Sequence, residues 1–166
     1  MIALWLAVGL VLVPVVASAQ SPTMDRKWVK DVLQSDMADI ELGTLASGKA
    51  SSDAVKQFGK RTAEEHARIS EELKKLAQGK GIQPPDGLDQ PHRWLRDTLG
   101  KRAGAAFDAL YVSEMVKDHR KDVMTFDHAA RKAQDPAVKA FAAKTLPALK
   151  EHLRLAQDLR AQLARR

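Results

Sequence analysis

Four stretches of this sequence repeat apolar residues at intervals of three and four, and each is long enough for a helix of about 20 to 28 residues. The first runs from Asp25 to Ala46, with Trp28, Val32, Leu42 and Ala46 on one side and Gly48 as a stop signal. The second begins after Ser51, Ser52 and Asp53, all good N-cap residues, and ends near Gln78 before Gly79 and Gly81; its stripe is Val55, Phe58, Ile69, Leu73 and Leu76. The third covers Ala105 to Lys132. The fourth opens with Asp135 as its cap and Pro136 in the first turn, where a missing amide hydrogen is harmless. Its stripe is Val138, Phe141, Leu149, Ala156, Leu159 and Leu163.

The connections fix how these helices are arranged. The loops around residues 47 to 52 and 133 to 135 are too short for anything but antiparallel hairpins, whereas residues 79 to 104 can run the length of a bundle. Within that connection GIQPPDG must be extended, because Pro84 and Pro85 lack amide hydrogens and disfavour helix before them. QPHRWLRDTLG can form a short helix. The expected fold is therefore all-α: two antiparallel hairpins joined by a long crossover that carries a short extra helix. With 166 residues, one domain is expected, over residues 20–166.

Residues 1–19, MIALWLAVGLVLVPVVASA, contain no charged side chain and end in the small-x-small pattern Ala17-Ser18-Ala19. They predict a signal peptide cleaved before Gln20 and a periplasmic location; the apolar run from Ile2 to Val13 is short for a membrane span. No membrane span is expected after cleavage. The sequence has no cysteine, hence neither disulfides nor a lipid-anchored thiol. The net charge of +6 is spread along all the helices. A specific nucleic-acid binder would concentrate its charge and add a recognisable module, so none is expected, while an anionic envelope partner is compatible with long-range attraction. Every stripe can be buried inside one bundle, which predicts a monomer or a weak homodimer.

Polar residues interrupt the stripes. Asp118, His119 and Asp122 fall among Tyr111, Met115, Phe126 and Ala130; Thr62 and His66 sit at the centre of the second stripe, and Thr145 and His152 at the centre of the fourth. Asp39 lies in the first stripe, whereas Glu41 points roughly 160° away from it on a helical wheel. His128 projects from the opposite side of its helix and His92 lies in the connection, so both are expected to face solvent. The candidate set is thus His66, His119 and His152 with Asp39 and Asp118. A transition metal and a hydrogen-bonded structural network are the two readings of such a core.

The kind of metal is constrained by what is missing. Bundle diiron sites use Glu-x-x-His pairs, but the residues three before His66, His119 and His152 are Ala63, Val116 and Leu149. Glu65-His66, Asp118-His119 and Glu151-His152 are adjacent pairs about 100° apart, so both members cannot point straight inward. A histidine-rich set favours zinc or copper over diiron. Protons should compete for its imidazoles below about pH 6. No nucleophile and base pair or phosphate loop is visible, so an enzyme is the weakest expectation.

The segments DMADIELGTLASGKASSDAVKQFGKRTAEEH, FDALYVSEMVKDHRKDVMTF and DPAVKAFAAKTLPALKEHL resemble the bacterial exported family called domain of unknown function 4142. The resemblance covers residues 25 to 160 and implies a ferritin-like four-helix bundle. It also implies recurring polar positions at Asp39, His66, Asp118, His119 and His152, with aspartate at 39 where glutamate is usual, and matches Phe107, Asp108 and Tyr111. No activity comes with the family. What the resemblance and the residues jointly suggest is an exported bundle that sequesters a metal or resists stress; the alternative is a cell-envelope interaction protein whose polar core only fixes helix packing.

Overall fold

The computed structural model describes residues 23–165. The signal peptide expected over residues 1–19 and its cleavage before Gln20 lie outside the described residues. Five helices make up the fold: α1 (Thr23–Lys49), α2 (Asp53–Gly79), α3 (Gln90–Gly100), α4 (Gly104–Lys132) and α5 (Pro136–Leu163). There is no strand among the described residues. Helix α3 coincides with the short helix expected inside the connection.

Side-chain ties at the two ends of the bundle define its topology. At one end the Asp25 carboxylate of α1 accepts from the Gln134 and Asp135 amides, at 2.9 and 2.7 Å, in the turn between α4 and α5. At the same end Arg26 donates to the Lys80 and Gly81 carbonyls beyond α2, and Lys80 pairs with Asp135. At the other end Asp108 of α4 accepts from the Ser51 and Ser52 amides, at 2.9 and 2.8 Å, between α1 and α2. Helices α1 and α2 therefore form one antiparallel hairpin, α4 and α5 a second. The chain leaving α2 must travel the whole length of the bundle before α4 begins. Helix α3 lies on that crossover, packed against α1 and α4.

Local chemistry explains where the helices start and stop. Asp135 caps α5 as expected, accepting from Ala137 N at 2.9 Å and Val138 N at 3.4 Å. The start of α2 differs from expectation. Ser52 occupies the N-cap position, but its side chain makes no cap bond; Asp108 reaches across from α4 and holds the turn just before the helix, accepting from the Ser51 and Ser52 amides and from the Ser51 hydroxyl at 2.5 Å. A carboxylate is a strong acceptor, so a tertiary contact and not a local side-chain cap fixes the entry to α2. The turn that follows α2 runs through Gly81, whose φ of +61° is a left-handed conformation that suits glycine. Ile82 then donates back to the Ala77 carbonyl and buries its side chain.

The core has two apolar layers. Near the α1/α2 turn, Leu42, Ala46, Val55, Phe58, Phe107 and Tyr111 pack with Ala156 and Leu159. Toward the other end, Val29, Leu33, Leu73, Phe126, Val138, Phe141 and Leu149 form the second layer. At Gly43 and Gly59 the two helices of the first hairpin touch backbone to backbone: a Cβ on Gly59 would meet the Gly43 oxygen at 2.8 Å. Between the two layers lies a polar waist.

Candidate metal centre

The waist is built by all four long helices. Helix α1 supplies Asp36 and Asp39, α2 supplies His66, α4 supplies His119 and Asp122, and α5 supplies His152, all buried. The three imidazole centroids are 5.3 to 5.4 Å apart. Counted from the hairpin turns, these residues stand at unequal heights, about one helical turn out of register. Side-chain lean removes the offset. Every Cα–Cβ bond tilts toward its helix N-terminus, so His119 leans away from the α4/α5 turn while His152, farther along, leans back toward it. The same geometry brings His66 to Asp39.

Each ring has one nitrogen held by a partner outside the histidine trio. His66 Nδ1 lies 2.8 Å from Asp36 Oδ1, His119 Nδ1 lies 3.0 Å from the Met115 carbonyl, and His152 Nε2 lies 2.5 Å from Glu65 Oε2. The nitrogens left over are His66 Nε2 and His119 Nε2, separated by 3.4 Å, and His152 Nδ1, which is buried with no hydrogen-bond partner. A tetrahedral ion with Zn–N bonds of about 2.0–2.1 Å holds its nitrogens about 3.3–3.4 Å apart. As a hydrogen bond, 3.4 Å is long.

Burial controls protonation here. It pushes His66 down to about 4 against the pull of Asp118 and Glu65. It pushes His119 down to about 3, with further repulsion from His66 and His152. His152 is lowered by burial and by His66, although Glu65 favours its charged form. For Glu65 itself, burial works upward, but the hydrogen bonds from His152 and Arg61 outweigh it and hold the group low. Burial raises Asp36, Asp39 and Asp122 well above the usual carboxylate range; Asp118 adds to all three. Burial thus works against the charged form of the imidazoles and of the carboxyls alike.

Three overlapping groups bring ligand atoms within 4.8 Å of one another: His66, His119 and His152; Asp39, Asp118 and His119; and Asp36, Asp39 and His66. All five residues predicted from sequence are therefore brought together. Asp118 differs from the others in being half-buried. It also lines a groove of about 560 Å³ between α3, α1 and α4, with Met115, His92 and Trp94 along its walls. The adjacent pairs resolve as one residue inward and one on the flank: His66 and His119 enter the waist, while Glu65 reaches sideways to His152.

Two expectations need correction. His128 is exposed as predicted, but His92 is half-buried because α3 turns it into the groove. Asp36 was missed. The signal was present, since Asp36 continues the i, i+4 row of Trp28 and Val32; Asp39, better centred among Leu42 and Ala46, drew attention away from it.

Solved structures with this fold include a DUF305 fragment from Deinococcus radiodurans, 11% identical, with a TM-score of 0.75 over 86% of this chain and 98% of that one. CopM in its Cu(II)-bound form is 17% identical, with a TM-score of 0.69 over 83% and 96% of the two chains. A DUF305 protein from Streptomyces coelicolor, described as secreted, is 16% identical, with a TM-score of 0.70 over 84% and 93%. At such identities the likeness establishes the helical-bundle fold. No protein of curated function matches the sequence. Residues 13–159 match the family described as a domain of unknown function, DUF4142, and the chain belongs to that family.

Proposed function

We propose that the protein is an exported bundle that binds a transition-metal ion, zinc or copper, through His66, His119 and His152, and serves metal sequestration or stress resistance. The observation that carries this reading is the division of labour in each ring: one nitrogen is anchored by Asp36, the Met115 carbonyl or Glu65, and the other is left for a shared ligand. Outer partners of this kind fix the tautomer and orientation of metal-binding histidines. Asp39 and Asp118 lie close enough to His119 to add an oxygen ligand. A bound ion would supply the positive charge that the buried carboxyls lack, and the apolar layers on either side would keep water from competing.

Copper gains support from the Cu(II)-bound form of CopM, which shares the fold. Export gains support from the apolar sequence of residues 1–19 and from the neighbour described as secreted. None of the described helices is long and apolar enough to cross a membrane. Thermal melts of untagged protein with zinc, copper or a chelator test the reading. The ions should raise the melting temperature of the wild type and of His128→Ala, and leave that of His119→Ala unmoved. A second reading, that the waist only keeps the helices in register, is favoured by the His66–Asp36 and His152–Glu65 bonds, which need no ion. Wild-type melting that ignores all three additives would select it.

A further inference from the structure

His66 takes part in two groups of side chains through different atoms. Its Nε2 faces His119 at 3.4 Å, whereas its Nδ1 lies 2.8 Å from Asp36 Oδ1 and 3.5 Å from Asp39 Oδ2. The two nitrogens of an imidazole point away from each other, so one ion cannot take both. The histidine trio and the Asp36/Asp39/His66 group therefore mark two positions on either side of one ring.

On the carboxylate side, polar atoms outnumber partners. Asp36 Oδ2 and both oxygens of Asp39 are buried with no hydrogen-bond partner; Asp36 is 3% exposed and Asp39 0%. The single N–H of His66 can serve one oxygen, and leaving the others bare is unfavourable. A cation would engage them together. Charge points the same way. Asp36, Asp39, Asp118 and Asp122 gather at the waist, and no lysine or arginine is buried among the described residues. Divalent ions would offset carboxylates that no buried cationic side chain offsets.

We propose that the core holds two divalent cations, the second lying among Asp36, Asp39 and His66 Nδ1, with the His66 ring bridging the pair as an imidazolate. The proposal rests on the three-histidine reading above and deepens it. When the second ion binds, its bonds to Asp36, Asp39 and His66 Nδ1 replace the ring N–H and the O–H of any protonated carboxyl; those protons leave to solvent, and no electron is transferred. Two carboxylates and one imidazole nitrogen make a harder donor set than three imidazoles, suited to zinc or manganese.

Zinc stoichiometry and copper spectroscopy test the pair. Untagged protein saturated with Zn(II) and dialysed should retain two ions per chain by elemental analysis, and Asp36→Asn, which removes a ligand of the second ion and weakens the anchor on His66, should retain no more than one. Loaded with Cu(II), the wild type should lose most of its paramagnetic resonance signal per copper, because the bridge couples the two spins; whatever copper Asp36→Asn keeps should show the full signal of an isolated ion. One zinc per wild-type chain, or two coppers without coupling, overturns the bridged pair and leaves the three-histidine site standing. Two zinc ions retained by Asp36→Asn also overturn it. No bound ion overturns both readings. The wild-type measurements decide even if the variant fails to fold.

Discussion

Replacing Asp39 by Asn should stabilise the metal-free protein. The Asp39 carboxyl is fully buried, and burial, followed by the charges of Asp118, Asp122 and Asp36 and by the hydrogen-bonding approach of the Asp118 carboxyl, raises it well above its usual range. A group raised in the folded state favours folding fully below its unfolded value near 3.9, and that contribution is lost as pH rises. An amide escapes this penalty. Urea unfolding in chelator should show a gain of about 1 to 3 kcal/mol for Asp39→Asn at about pH 7, shrinking toward about pH 4. The histidines act in the opposite sense. His66 and His119, lowered to about 4 and about 3, stabilise the fold above about 6.5, and that contribution is lost as pH falls toward those values. Sequence alone placed proton competition for the imidazoles below about pH 6. Burial moves it to about 4 or lower for His66 and His119. Stripe positions could reveal that these residues are inside; they could not reveal how strongly the interior shifts them.

Among the elements, the α1/α2 turn depends on a residue 57 positions away, the separation between Ser51 and Asp108. Asp108→Ala would strip two backbone amides and a hydroxyl of their acceptor inside a part-buried turn. The cost should be about 1 to 3 kcal/mol, read as a fall in the urea midpoint, whereas Ser52→Ala should cost little because its side chain makes no cap bond. Gly59→Ala should also destabilise, by about 1 to 3 kcal/mol, since its Cβ would press on the Gly43 carbonyl. Helix existence and approximate ends were legible from apolar period, Pro136 and the Gly79/Gly81 pair. The anchor on the turn before α2 was not, because local N-cap preference says nothing of a carboxylate arriving from another hairpin. The faces were legible as well. The one-turn stagger of the histidines looked like an obstacle only because counting residues ignores the lean of Cβ.

For the molecule as a whole, an ion at the waist would tie both hairpins together. By mass action, zinc at about one hundred times its dissociation constant should add about 2.7 kcal/mol to the unfolding free energy. Chemical denaturation at fixed zinc, compared with chelator, reads this directly. Topology was readable because loop lengths leave few options: two short turns and one connection long enough to traverse the bundle. The groove beneath α3 was not, since its walls come from three elements whose mutual placement is a tertiary outcome. The waist also has a consequence in time. The first hairpin brings Asp36, Asp39, Glu65 and His66; the second brings Asp118, His119, Asp122 and His152. Neither half contains all three histidines of the waist. A ribosome or translocon releasing this chain from its N-terminus would expose only an incomplete ligand set until the last helix emerged and docked. Loading would then follow folding, and the ion acquired would be drawn from the metals present wherever the two hairpins finally close.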